Sequence, residues 1–107
     1  MTAIIVLFNL KESVTRADYE EWAMSTDLPV VRDLASVDDY QVFRSSGLLG
    51  SDDPAPFEYV EVISINDGDL FTQDIGSELM QKVAQQFQSF ADAPQFLMTH
   101  ALGSISE

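Results

Sequence analysis

A chain of 107 residues has room for one domain, spanning 1–107, and for one hydrophobic core. Its 18 acidic against 5 basic side chains give a net charge of −13, which repels phosphate backbones and anionic lipid and argues against nucleic acid and membrane as partners. The sequence has no cysteine, so disulfides, thiolate metal sites and thiol nucleophiles are excluded.

Residues 3–10, AIIVLFNL, form an unbroken apolar run. It is too short to span a bilayer and lacks the basic start and cleavage site of a signal peptide, so the expected location is cytoplasmic. A strand without polar alternation is expected to be buried on both faces. Residues 15–34 read as the first helical stretch. It opens on Thr15-Arg16-Ala17-Asp18, a capping pattern. Tyr19, Trp22 and Ala23 then share one face, while Glu12, Glu20 and Glu21 belong to the solvated side. Pro29 interrupts the hydrogen-bond ladder, which predicts a kink near Asp27 and a short helix carrying Val30, Val31 and Leu34.

A second strand over 39–45 places Tyr40, Val42 and Arg44 on one face and Gln41 and Phe43 on the other. Residues 47–56, rich in Gly, Ser, Asp and Pro, are a loop. A third strand over 57–65 alternates Tyr59, Glu61 and Ile63 with Val60, Val62 and Ser64. The second helical stretch, 67–90, is broken by Gly76. A short turn around Leu70 and Phe71 is followed by an amphipathic helix that Ser77 caps and Pro94 ends. The last strand, 96–102, carries Phe96, Met98, His100 and Leu102 on one face.

The order βαββαβ is that of a ferredoxin-like α+β domain. Right-handed crossovers put both helical stretches on one face of a four-stranded antiparallel sheet. The other face is apolar and needs a cover that the chain does not supply. A second copy across a two-fold axis is the simplest one. The expected state is a homodimer in which two sheets face each other as an α+β barrel.

The segment Tyr19-Glu20-Glu21-Trp22, followed by Asp27-Leu28-Pro29-Val30-Val31-Arg32-Asp33-Leu34 and a strand near Asp39-Tyr40, resembles the dimeric α+β barrel superfamily. Within it the chain is most similar to the RedY-like proteins, in length and segment order throughout. Many members of the superfamily carry a histidine just before the position of Pro29; here Asp27 stands two residues upstream of that proline. The resemblance implies a small protein of prodiginine-type tripyrrole pigment biosynthesis that uses no cofactor. It would bind an aromatic, pyrrole-type intermediate and catalyse proton transfer in a condensation, cyclisation or dehydration. It also leaves open a non-catalytic carrier of the same intermediate, and a cofactor-free monooxygenase.

His100 is the sole histidine. Beside Met98 and Leu102 it is expected to point into an apolar layer, either as a general acid or base or as a core imidazole with one hydrogen bond. One histidine makes no protein metal site, and no carboxylate cluster has facial-triad spacing around it. Tyr19 and Trp22 either line a flat aromatic pocket or are plain core. Arg44 and Glu61 sit in mid-strand on the face of Tyr40 and Tyr59. There they either pair across the strands or bind substrate, with Arg44 or Tyr59 orienting a carbonyl. Asp27 either caps the helix after the kink or holds the imidazole of His100. Asn9, the one amide in its run, either donates to a ligand or ends strand pairing.

Overall fold

The computed structural model describes residues 2–103. Strand β1 (Thr2–Leu10) leads into helix α1 (Arg16–Trp22), a π-helical turn (Ala23–Asp27) and helix α2 (Leu28–Arg32). Strands β2 (Val37–Arg44) and β3 (Tyr59–Ile65) follow, then helices α3 (Gly68–Ile75) and α4 (Glu78–Phe90), and strand β4 (Ala91–His100). The strands lie in the order β2-β3-β1-β4, each antiparallel to its neighbour. This is the ferredoxin-like arrangement expected from the element order.

Each full-length helix starts where a short polar side chain takes up an orphan amide. Thr15 Oγ1 accepts from the Asp18 N–H at 3.1 Å, Asp67 Oδ1 from Leu70 at 3.1 Å, and Ser77 Oγ from Met80 at 3.2 Å. The kink expected near Asp27 takes the form of one wide turn. The Leu28 N–H donates to the Ala23 carbonyl, five residues back. Pro29 has no N–H to give the Ser25 carbonyl, and its ring would collide with that oxygen in a regular α-helix. Widening the turn relieves the collision and leaves Asp27 buried on the sheet side.

Ile4, Val6, Phe8 and Leu10 point under the helices and are buried. Phe8 is the hub of an aromatic cluster. Its ring lies 5.4 Å from Tyr19, 5.5 Å from Tyr59 and 4.9 Å from Phe87, centroid to centroid. The opposite face of β1 carries Ala3, Ile5, Leu7 and Asn9, all only half-buried. Ile5 pairs with Val62 and Leu97, and Leu7 and Phe43 both pair with Val60. The molecule measures 39 × 36 × 21 Å. Packed layers sit about 10 Å apart, so the short dimension holds one sheet and one helix layer. The expectation that β1 is buried on both faces is therefore corrected: a single chain covers only the face toward its helices.

Helix α4 ends at Phe90, four residues before Pro94, and the chain enters β4 at once. Ala93 adopts a positive φ of 46°, and the pairing with β1 slips between Leu7 and Asn9. The strand thus begins earlier than residue 96 and absorbs Pro94 on the outer edge of the sheet, where a missing N–H is tolerated. Three side-chain contacts lock the connections. Trp22 Nε1 donates to Gln86 Oε1 at 2.8 Å, joining α1 to α4. Ser36 Oγ donates to Asp74 Oδ2 at 2.6 Å, joining α3 to the entry of β2. Asn9 receives the Glu58 N–H at 2.9 Å and donates to the Pro56 carbonyl at 3.2 Å. Of the two roles open to Asn9 it fills a third: it clasps the end of the 47–56 loop.

Candidate functional site

A cavity of about 370 Å³ lies between the helix-facing side of the sheet and α2, α3 and α4. That is within the range of small-molecule sites. Phe71, Met80, Val83 and Phe87 give it apolar walls. Two acids interrupt that surface. Glu61, from the middle of β3, and Asp27, from the π-helical turn, both reach into it while each is only 4% exposed. Among the described residues neither is paired with a cation. Tyr19 Oη donates to Glu61 Oε2 at 3.1 Å, and Tyr40 Oη donates to Asp27 Oδ2 at 2.7 Å.

Burial penalises the charged form of both carboxyls. Glu61 is pushed up from 4.5 to about 8, by desolvation first and by the nearby charge of Asp27 second; the tyrosine hydroxyls pull the other way. Asp27 is raised from 3.8 to about 6, again by desolvation, against the opposing hydrogen bond from Tyr40. Burial and the adjacent acids raise the Tyr19 and Tyr40 phenols far above their ordinary range, so both stay protonated donors. Of the two carboxyls, Glu61 is therefore held the more strongly in its acid form. Two carboxyls whose surroundings raise their pKa values unequally have the chemistry to serve as acid and base.

A shallower hollow of about 210 Å³ lies on the other side of Tyr19, lined by Glu20, Met24, Arg44 and Tyr59 among others. Arg44 grips Glu20 through two bonds, Nε to Oε2 at 2.9 Å and Nη2 to Oε1 at 3.0 Å. Tyr59 Oη donates to the same Oε2 at 2.7 Å. These bonds hold the Glu20 carboxyl below its usual range, the Tyr59 bond first and the Arg44 bond second. The cross-strand pairing of Arg44 with Glu61 is therefore corrected. Arg44 reaches over the helix to Glu20, and Glu61 is left to Tyr19.

The structure brings Asp27, Glu61 and Tyr40 together on one cavity, with Tyr19 between it and the shallower hollow. Tyr59 and Arg44 belong to that hollow. Trp22 lines neither: it packs on Phe90 at 5.2 Å and bonds Gln86. Asp27 neither caps a helix with its side chain nor meets the imidazole, because Tyr40 takes it. His100 is exposed at the end of β4, with Nδ1 3.4 Å from Thr2 Oγ1. The expectation of an apolar surround fails there because β4 is an edge strand and His100 is its last residue. Glu20 was assigned to solvent by helical periodicity alone. The signal for its role was the adjacent Arg44 and Tyr59 positions on the sheet face that α1 covers.

The chain matches the family model described as REDY-like protein HapK over residues 2–102. HapK from Hahella chejuensis superposes with a TM-score of 0.79 at 32% identity, covering 97% of this chain and 95% of that one. The chain belongs to the REDY-like HapK family. The fold extends more widely. SnoaB from Streptomyces nogalater, described as a cofactor-independent oxygenase, gives a TM-score of 0.76 at 13% identity, with 99% and 97% of the two chains covered. A dimeric ferredoxin-like protein of unknown function from Thermobifida fusca gives 0.72 at 14% identity, with 94% and 90% covered. At those identities the likeness is one of fold. No curated protein matches the sequence. For this HapK-family chain, no group of three or more His, Cys, Asp or Glu among the described residues is placed to hold a metal ion. Nor is any helix among them long and apolar enough to cross a membrane.

The Tyr40–Asp27 bond gives the site a testable electrostatic setting. In Tyr40→Phe, Asp27 loses the donor that favours its charged form. Its pKa is expected to rise further, by roughly one unit for a charge-assisted bond of about 1.5 kcal/mol. The groups facing Asp27 are then Glu61 from β3 and the apolar wall. The acidic limb of any rate or binding profile that requires the Asp27 carboxylate should move up by that amount. An unmoved limb would show that Asp27 does not set it.

Proposed function

We propose that this protein binds a pyrrole-type intermediate of a prodiginine-like pathway in the 370 Å³ cavity and catalyses a proton-transfer step there. One observation carries this: two buried carboxyls of unequal acidity share an otherwise apolar cavity, each fixed by a tyrosine hydroxyl. Condensation of a ring carbon with an aldehyde needs both an acid and a base. The ring carbon forms a bond to the carbonyl carbon, and Glu61 in its acid form gives a proton to the oxygen. The Asp27 carboxylate takes the proton released from the ring carbon and passes it to that oxygen, so that water leaves, and the pyrrole N–H proton then returns Glu61 to its acid form. Aldehyde and pyrrole are consumed, one water is produced, and no electron is gained or lost. Cyclisation and simple dehydration draw on the same couple. SnoaB, described as a cofactor-independent oxygenase, shares the fold, but two buried carboxyls in an apolar cavity favour proton transfer.

The test is to mix the protein with bipyrrole aldehyde and monopyrrole precursors and follow absorbance and products. Faster product formation is expected, lost in Asp27→Asn and kept in His100→Ala. Product lost in His100→Ala and kept in Asp27→Asn would transfer the role to the histidine. A spectral shift without product would make the protein a carrier.

A second copy of the chain is proposed to cover the open sheet face. Ile5, Leu7, Val60, Val62 and Leu97 lie side by side on that face and give it an apolar surface, of the kind that marks an interaction site. Sedimentation should give a dimer, and Val62→Lys should return it to monomer. A monomeric wild type would contradict this.

A further inference from the structure

The electrostatics of the larger cavity say what kind of molecule it selects. Among the described residues, no Lys, Arg or His lines it. Arg32 Nε donates to the Tyr40 carbonyl, at 2.9 Å, and not to either carboxyl. The Asp27 and Glu61 carboxyls thus have hydroxyl donors but, among the described residues, no counter-charge. A buried carboxylate without a cation is costly to the fold, and a ligand that brings the cation removes that cost on binding.

The cavity is also graded along its depth. Asp27, Glu61 and Tyr40 at its inner end are at most 4% exposed. Ile75, Phe96 and Met98, which also line it, are 41%, 61% and 73% exposed and mark the mouth beside edge strand β4. A methionine at a rim adapts to varied apolar shapes, and a phenylalanine offers a flat apolar surface.

We propose that the cavity selects an amphiphilic cation: a planar head presenting N–H donors and positive charge to Asp27 and Glu61, with an apolar tail lying over Phe96 and Met98 at the mouth. This rests on the cavity being the substrate site, and it narrows the substrate class to protonated N-heteroaromatic or amidine-like heads with alkyl tails. It also explains why a cationic intermediate, formed when water leaves a pyrrole carbinol, would be held and not released.

Three probes of one shape test it by titration calorimetry: 4-hexylbenzamidinium, 4-hexylbenzamide and 4-hexylbenzoate. The amidinium is expected to bind at least tenfold tighter than the amide, and the benzoate not at all. Asp27→Asn, which leaves the acidic outer surface in place, should erase most of the amidinium preference. In Phe96→Ser the gain from methyl to hexyl should shrink while the head preference stays. Equal affinity for all three probes, preference for benzoate, or an unchanged preference in Asp27→Asn would overturn the inference. So would the absence of binding by any probe. If the probes fail while pyrrole turnover proceeds, only this inference falls. If the amidinium is selected but pyrroles are neither turned over nor bound, the proposed function falls and the selectivity stands.

Discussion

Glu61→Gln is expected to yield a protein that is more stable than the wild type at pH 8 and inactive. The folded Glu61 carboxyl holds its proton up to about pH 8, while an unfolded one releases it near 4.3. Between those values the folded state binds more protons than the unfolded state, so stability falls as pH rises. The contribution is fully present below the unfolded pKa and lost by the folded one. At 1.36 kcal/mol per unit the loss is on the order of 3–5 kcal/mol across that window. Asp27 adds a smaller loss in the same direction, ending near pH 6. Glutamine keeps the acceptor for Tyr19 and removes the titration. The variant should therefore gain roughly 2 kcal/mol or more at pH 8, or about 10 °C in Tm for a domain of this size, and gain nothing near pH 4.5. Turnover should drop roughly 100- to 10,000-fold, the usual span for a lost general acid. Thermal melts at the two pH values and a turnover assay check both halves. A variant that melts lower at pH 8, or that keeps its activity, would contradict the assignment.

Phe8→Ala should be the most damaging of the core changes. The side chain is fully buried and touches three rings, two edge-on and one stacked. Removing a buried phenylalanine costs about 3–5 kcal/mol through lost transfer energy and the cavity left behind. Against a total stability of about 5–15 kcal/mol, that is a large share. Tm should fall by about 20 °C. The function should suffer as well, because Tyr19, which donates to Glu61, and Tyr59, which donates to Glu20, both lean on this ring. Phe8→Leu refills much of the space and should recover more than half of the loss. A loss below about 1 kcal/mol in Phe8→Ala would mean that the cluster collapses around the gap and is not the scaffold described here.

Much of this was legible in the residues. The period-two pattern of 57–65 places Tyr59, Glu61 and Ile63 on one face, and the register, which pairs them with Phe8, Val6 and Ile4, turns that face toward the helices. Thr15 and Ser77 announce their helices, and Pro29 announces the disturbance that buries Asp27. Of the four residues at the heart of the site, Tyr19, Tyr40 and Glu61 stand out as polar groups on element faces, and Asp27 marks the kink. What the sequence did not contain was the pairing. Arg44 and Glu61 look complementary along the sheet, but α1 crosses above Arg44 and offers Glu20, which the helical period assigns to solvent. The unbroken apolarity of β1 signals two apolar faces, not two covered ones, since cover depends on what else packs there. His100 has the right neighbours in sequence, yet it lies at the last pair of an edge strand, where neighbours on one side are missing.

The most direct test is to follow the side-chain carboxyl carbons of Glu61 and Asp27 by NMR through a pH titration of the folded protein. The account predicts one carboxyl titrating near pH 6 and the other near pH 8, so that acid and base coexist at neutrality. Both groups titrating near 4, as ordinary solvated carboxyls do, would contradict it and leave the cavity without its acid–base couple.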